Sequence, residues 1–340
     1  MSIARREMLG AVSALALVGA GRFGVGRAQA ETLTPVRMGV LHSGLFTVIH
    51  AVALQGGYYA RNGIDPKVTD VRSGDGTAGA ESLLRNSLDV YLGTPVELTR
   101  VNAQAIAGDQ KPPLAVVAAG APNFTNLVLR KGLTYTGPSD LKGLRIGVSA
   151  PGSDHLVNFR FLLAEKGLTT DGLDMRILPL GSSNMLPALT SGQIDGFLHS
   201  EPTVSIALIK AGATLAISGK QFGTSGDSPG LSLNVGRIWA TAHRDVMTRL
   251  VKALWDASDD YTSMPEAKAV EIFQNYMPSD PDILSRAYGN LDPRLHDLTK
   301  MADAFWKVNV AAMRERGEVV AELKPQDLFD NSFSPGTTSG

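Results

Sequence analysis

The sequence predicts an α/β fold of two lobes, each a mostly parallel sheet flanked by helices, and three observations carry that prediction. Strand and helix patterns alternate through short loops from residue 36 to 119, which suits parallel strands joined by crossover helices. The alternation then restarts near residue 140. Finally, 340 residues at 44% hydrophobic are enough for two cores, at roughly 150 residues per domain. With 32 Lys+Arg against 33 Asp+Glu, the formal charge of −1 gives no reason to expect a nucleic-acid partner. The chain has no cysteine, which excludes disulfides, thiolate metal sites, a cysteine nucleophile and a lipid anchor on an N-terminal cysteine.

The elements follow in order. Residues 1–30 read as an export signal: Arg5-Arg6, an apolar run over residues 8–20, then Ala28-Gln29-Ala30, with cleavage expected after Ala30. The run is too short to cross the roughly 30 Å hydrocarbon core. The paired arginines, with Arg22 and Arg27 near the cleavage site, resemble a twin-arginine signal. Their removal with Glu7 leaves a net charge of about −4 and a periplasmic protein.

Residues 36–41 alternate as a strand, and residues 46–61 have helical spacing up to Asn62-Gly63, a left-handed cap. A second strand over 65–71 leads through the glycine-rich loop 73–77 to a helix over 78–86. Strands at 88–93 and 114–119 bracket a helix over 96–107. In the second half, strands are expected at 144–148, 175–179 and 194–198, and helices at 154–166, 184–191 and 201–210. After the polar loop 219–230, residues 231–239 return as a strand. Helices follow over 243–261, 265–276, 281–288 and 298–316, two of them opened by proline. Lobe 1 is thus expected to combine residues 31–121 and 231–330, lobe 2 to hold 122–230, and 331–340 to be a disordered tail.

Three motifs carry a family resemblance: Gln55-Gly56-Gly57-Tyr58-Tyr59-Ala60-Arg61-Asn62-Gly63-Ile64, Asp140-Leu141-Lys142-Gly143-Leu144-Arg145-Ile146-Gly147-Val148, and Ser191-Gly192-Gln193-Ile194-Asp195-Gly196 leading to Glu201-Pro202. In this order they resemble the periplasmic solute-binding proteins of ABC importers, in the nitrate, taurine, alkanesulfonate and thiamine-precursor branch. The resemblance implies a type II-like periplasmic-binding-protein fold with the ligand cleft between the lobes. It also implies lobe closure presented to a membrane ABC permease.

In open α/β sheets the ligand lies beyond the carboxyl ends of the strands. That rule nominates His42, Ser43, Gly74, Thr77 and Thr94 from the first lobe, and Asn123, Phe124, Ser149, Ser153, Asp154, His155, His199 and Glu201 from the crossover and the second. Ser153 and Thr94 also suit helix caps, and the two roles are compatible. Gly74 and Gly76 suit a turn, since a phosphate loop needs a following Lys and Ser/Thr that are absent. A neutral imidazole donating one hydrogen bond is the commoner use of His42, His155 and His199, so no metal is expected. Glu201 precedes Pro202 at an expected helix start, where the dipole favours a carboxylate; alternatively Glu201, with Asp75 or Asp154, faces an amine on the ligand. Phe46, Tyr91, Phe124, Phe159 and Trp239 are candidate stacking rings, Phe159 better suited to the core. Arg72, Arg130 and Arg237 are candidates for an anion.

The resulting expectation is a monomeric, non-enzymatic binder of a small polar organic solute (sulfonate or taurine-like, nitrate-like or pyrimidine-like), with no cofactor. Two alternatives stay open: a cysteine-free enzyme on the same fold using His199 and Glu201, and a ligand-sensing partner of a membrane receptor.

Overall fold

Two sheets with the same internal order organise the chain. The computed structural model describes residues 33–71, 78–320 and 322–334; the expected export signal, Gly74, Thr77, Arg72 and Asp75 lie outside them. The chain enters through β1 (Thr34–Leu41), a short turn of helix, α1 (Ile49–Gln55), α2 (Tyr58–Arg61) and β2 (Ile64–Val71). It continues with α3 (Ala78–Leu84), β3 (Val90–Gly93), α4 (Pro95–Ala107) and β4 (Leu114–Gly120). The second sheet follows: β5 (Asn126–Leu129), β6 (Arg145–Val148), α5 (Asp154–Ala164), β7 (Arg176–Pro179), α6 (Met185–Thr190), β8 (Gly196–His199), α7 (Thr203–Lys210) and β9 (Thr214–Ile217). The return strand β10 (Leu231–Gly236) leads to α8 (Arg237–Ala242), α9 (Arg244–Tyr261), α10 (Glu266–Tyr276) and α11 (Pro281–Asn290). The chain finishes with β11 (Leu295–His296), α12 (Leu298–Phe305), α13 (Ala311–Glu315) and α14 (Pro325–Leu328).

The first sheet runs β2-β1-β3-β10-β4-β11 and the second β7-β6-β8-β5-β9. In each, the central strand pairs in parallel with two neighbours, and one strand arriving from the other half of the chain inserts antiparallel in fourth place. That exchange creates two crossovers, at residues 121–125 and 218–230. They are bonded to each other through Asn123 N–H to Gly226 O at 2.7 Å and Gly230 N–H to Ala121 O at 3.1 Å. A Cβ at Gly219 would collide with the Asn123 carbonyl, so glycine is required for the two segments to touch.

The core follows the sheets. One large cluster surrounds the first sheet and the C-terminal helices. On the second sheet, alternation divides β5: Leu127 and Leu129 pack under α5, while Val128 faces α6 and α7.

Several expectations are corrected. The helix expected over 46–61 breaks at Gly57, whose φ of 73° is left-handed, giving α1 and α2. The strand expected over 231–239 ends at Gly236, and Trp239 lies on α8, stacked on His243. The helix over 298–316 contains a π-turn at Trp306–Val310. Of the tail expected at 331–340, the described residues 331–334 are ordered: Asn331–Phe333 forms a turn, with Phe333 buried beneath Arg244. Strands β5 and β9 were not anticipated. They form because β8 and β5 offer them unpaired edges, and those partners are distant in sequence. Among the described residues no helix is long and apolar enough to cross a membrane.

Candidate functional site

The carboxyl ends of β1, β3, β6 and β8 converge where the crossovers run, and a wall of four rings is built there. Phe46, in the turn after β1, lies 6.2 Å from Phe124 on the first crossover. Phe124 lies 4.9 Å from His155 on α5, and His155 lies 5.3 Å from His199 at the end of β8. All four residues are buried, His155 most exposed at 9%. Both sheets and one crossover therefore contribute to one surface.

The placing of His155 follows from α5. Ser153 caps the helix, its Oγ accepting from Leu156 N–H at 3.4 Å, so the capping role expected for it is present. Along α5, Leu156, Phe159, Leu162 and Leu163 enter the core of the second sheet, while Asn158, one turn after His155, shares its Thr125 partner. Phe159 is accordingly a core ring. His155 Nδ1 lies 3.0 Å from Thr125 Oγ1, which also accepts from Asn158 Nδ2 at 3.1 Å. Burial pushes the His155 imidazole well below its ordinary value, and nearby His199 pushes the same way. His199 is lowered by burial, opposed by its Nδ1–H donating to Ser200 O at 3.3 Å. Both rings are neutral at pH 7.

Asp154 belongs to a second cluster, with Arg100, Glu97 and Arg316. Burial raises its carboxyl to about 7, against the pull of Arg100 and Arg316 and with the push of Glu97. Arg100 is held at 3.0 Å by Glu318, and a Cβ at Gly152 would stand 3.6 Å from Arg100 Nη2, so α4 of the first sheet approaches the α5 loop of the second. Glu97 accepts from Tyr91 OH at 3.1 Å, which makes Tyr91 a buried hydrogen-bonding residue rather than a stacking ring.

Glu201 joins the halves in another way. Its backbone carbonyl accepts from Leu45 N–H at 3.0 Å. Its carboxylate accepts from Asn290 Nδ2 at 2.9 Å and Ser205 N–H at 3.0 Å. Burial raises its pKa and these donors pull it back. With both carboxylate oxygens engaged and the residue 2% exposed, the geometry fits a structural clamp rather than a ligand contact. The helix expected at Glu201 begins at Thr203 instead.

The remaining nominated residues are spread around this centre. His42 stacks on Tyr276 at 4.5 Å, with Nδ1 3.4 Å from Asp70 Oδ1. Ser43, Thr94 and Ser149 are half-buried at strand ends. Thr94 precedes α4 without a side-chain cap bond. Asn123 has φ of 59° and serves the crossover contact. Arg130 pairs with Asp195 at 3.1 Å, and Arg237 donates to the carbonyls of Leu114 and Gln326, so both arginines are engaged away from the rings. A 520 Å³ surface depression lies at the other end of the first sheet, lined by Thr34, Arg37, Asp89, Trp239 and His243, where Arg37 and Asp89 neutralise each other. Among the described residues no group of three or more His, Asp or Glu side chains is placed to hold a metal.

Sequence reasoning missed Thr125, Asn158, Glu97, Arg100 and Asn290. For Asn158 a signal existed: it is a polar residue one turn after Asp154, between the apolar Val157 and Phe159.

Two sheets exchanging strands, with rings from both at the crossover, match the periplasmic binding protein fold. The aliphatic sulphonate binding protein SsuA of Escherichia coli has this fold at a TM-score of 0.69, with 16% identity, 86% of this chain and 91% of that one covered. The nitrate-binding protein NrtA of Synechocystis follows at 0.66, with 15% identity, 88% and 87% covered. By sequence, the bicarbonate transport ATP-binding protein CmpC of Synechocystis is 26% identical over 222 residues, 61% of this chain. The chain spans about a third of that relative's length, 32%. The profile of the NMT1-like family matches residues 29–274, and the chain belongs to that family.

Proposed function

We propose that the protein is the solute-binding component of an ABC-type importer, working in the periplasm as a monomer and catalysing no reaction. It captures a small polar organic solute in the cleft between the two sheets and presents the closed form to a membrane permease. The observation that carries this reading is the ring wall of Phe46, Phe124, His155 and His199, drawn from both sheets and from the crossover that joins them. A ligand against it touches both halves at once. Contacts that exist only when the halves are together shift the open–closed equilibrium by their free energy, so binding and closure are one event. The solutes in the names of SsuA, NrtA and CmpC, an aliphatic sulphonate, nitrate and bicarbonate, make anions one class to test beside uncharged polar solutes. Export through a twin-arginine signal, cleaved after Ala30, completes the reading.

A thermal-shift screen with sulfonates, inorganic oxyanions, carboxylates, amines and pyrimidines tests it, because ligand at about 100 times its dissociation constant adds roughly 2.7 kcal/mol. One stabilising class recovered chemically unchanged is the expected result. A stabilising compound that is consumed overturns the non-enzymatic reading.

A further inference from the structure

The two imidazoles at the end of the ring wall meet partners of different kinds at Nδ1, a carbonyl at His199 and a hydroxyl at His155. At His199 the partner of Nδ1 is a carbonyl, Ser200 O, which can only accept; Nδ1 therefore carries the proton. Nε2 of the neutral ring is then a bare lone pair. At His155 the partner of Nδ1 is Thr125 Oγ1, which takes an N–H from Asn158; among the described residues no other acceptor is placed for the buried Thr125 hydroxyl hydrogen, which assigns that hydrogen to Nδ1. The proton of the neutral His155 ring then sits on Nε2. Neither Nε2 has a hydrogen-bond partner among the described residues, and neither is among the buried polar atoms sealed from solvent.

We propose that this cleft, taken as the solute site of the reading above, receives an uncharged planar ligand with a hydrogen-bond acceptor and a donor side by side, an amide or lactam edge: its acceptor takes the His155 Nε2–H, and its donor meets the His199 Nε2 lone pair. An oxyanion offers acceptors alone. Its oxygens would face the His199 lone pair without a proton between them, and neither imidazole supplies the positive charge that would offset desolvation of the anion. The neighbouring carboxyls do not change this. Asp154, on the same helix, interacts with Arg100, Arg316 and Glu97, while Glu201 is engaged by Asn290 and Ser205. Phe124, tilted against His155, supplies an apolar face for a planar ligand.

Nitrogen NMR of histidine-labelled protein at about pH 7 reads the tautomers directly. The expected result is Nε2–H at His155 and Nδ1–H at His199; the reverse at either ring, or a charged ring, overturns the proposal. Calorimetric titration then compares nicotinamide and pyridone with nitrate and methanesulfonate. The amide-edged probes are expected to bind at least about tenfold tighter at pH 7. They are expected to weaken by about tenfold or more in His199→Phe, which keeps a flat buried ring, and in Thr125→Val, which releases the His155 tautomer. Tighter binding of nitrate or methanesulfonate overturns the proposal and leaves the solute-binding reading standing. Amide-probe affinity unchanged in both variants places that ligand elsewhere and also overturns it. No binding of either probe class counts against both.

Discussion

Asp154→Asn is predicted to stabilise the protein, and only above acid pH. An aspartate of ordinary value 3.8 is raised in the folded chain to about 7, with burial the dominant cause. The unfolded chain therefore releases this proton near pH 4 while the folded chain keeps it to about pH 7. Across that window the unfolded state binds fewer protons, so stability falls as pH rises and is flat once both states are ionised. At about 1.4 kcal/mol per pH unit the full penalty is up to roughly 4 kcal/mol. The opposing helix dipole at the first turn of α5 contributes about 0.5–1 kcal/mol, too little to reverse the sign. Asparagine keeps the shape and carries no charge to desolvate. Urea unfolding at pH 4 and pH 8 should give similar stabilities for the two proteins at the lower pH, and a variant more stable by a few kcal/mol at the higher. A variant less stable than the parent at pH 8 would show that Arg100 and Arg316 outweigh burial and would refute the reasoning.

Three further outcomes follow from the same geometry. His50, buried beside Tyr59, is lowered to about 4; its share of stability is present above about pH 6.5 and lost as pH falls toward 4, so His50→Gln should flatten the acid side of the stability profile. Glu201→Ala leaves the Asn290 amide and the Ser205 N–H without their acceptor and should cost about 2–4 kcal/mol in chemical unfolding, whereas a cost under about 0.5 kcal/mol would rule out the clamp. Gly219→Ala drives a methyl into the Asn123 carbonyl; it should lower stability by about 1–3 kcal/mol and is contradicted by an unchanged melting temperature.

Sequence alone carried the class and the order of the elements, because those are set locally. Apolar alternation over 36–41 and 114–119, the glycines ending helices at Gly63 and Gly167, and the Ser153 cap act within a few residues of where they stand. The nomination of Phe124, His155 and His199 followed from one rule about strand ends, and these three do meet. Sequence could not find β5, whose pairing partners lie about 70 residues away in β8 and about 90 in β9. The return of residues 231–239 to the first half was expected, but not that β10 and β5 each insert antiparallel in fourth place. The role of Glu201 was likewise undecided by its neighbours, since Asn290 is 89 residues distant. The partner at each Nδ1 of His155 and His199, a hydroxyl or a carbonyl, is also a tertiary matter, and Thr125 lies 30 residues from the ring it meets. Propensity and capping are short-range and are written in the chain; hydrogen-bond partnership and desolvation depend on which distant surfaces are brought together, and only the tertiary structure decides that.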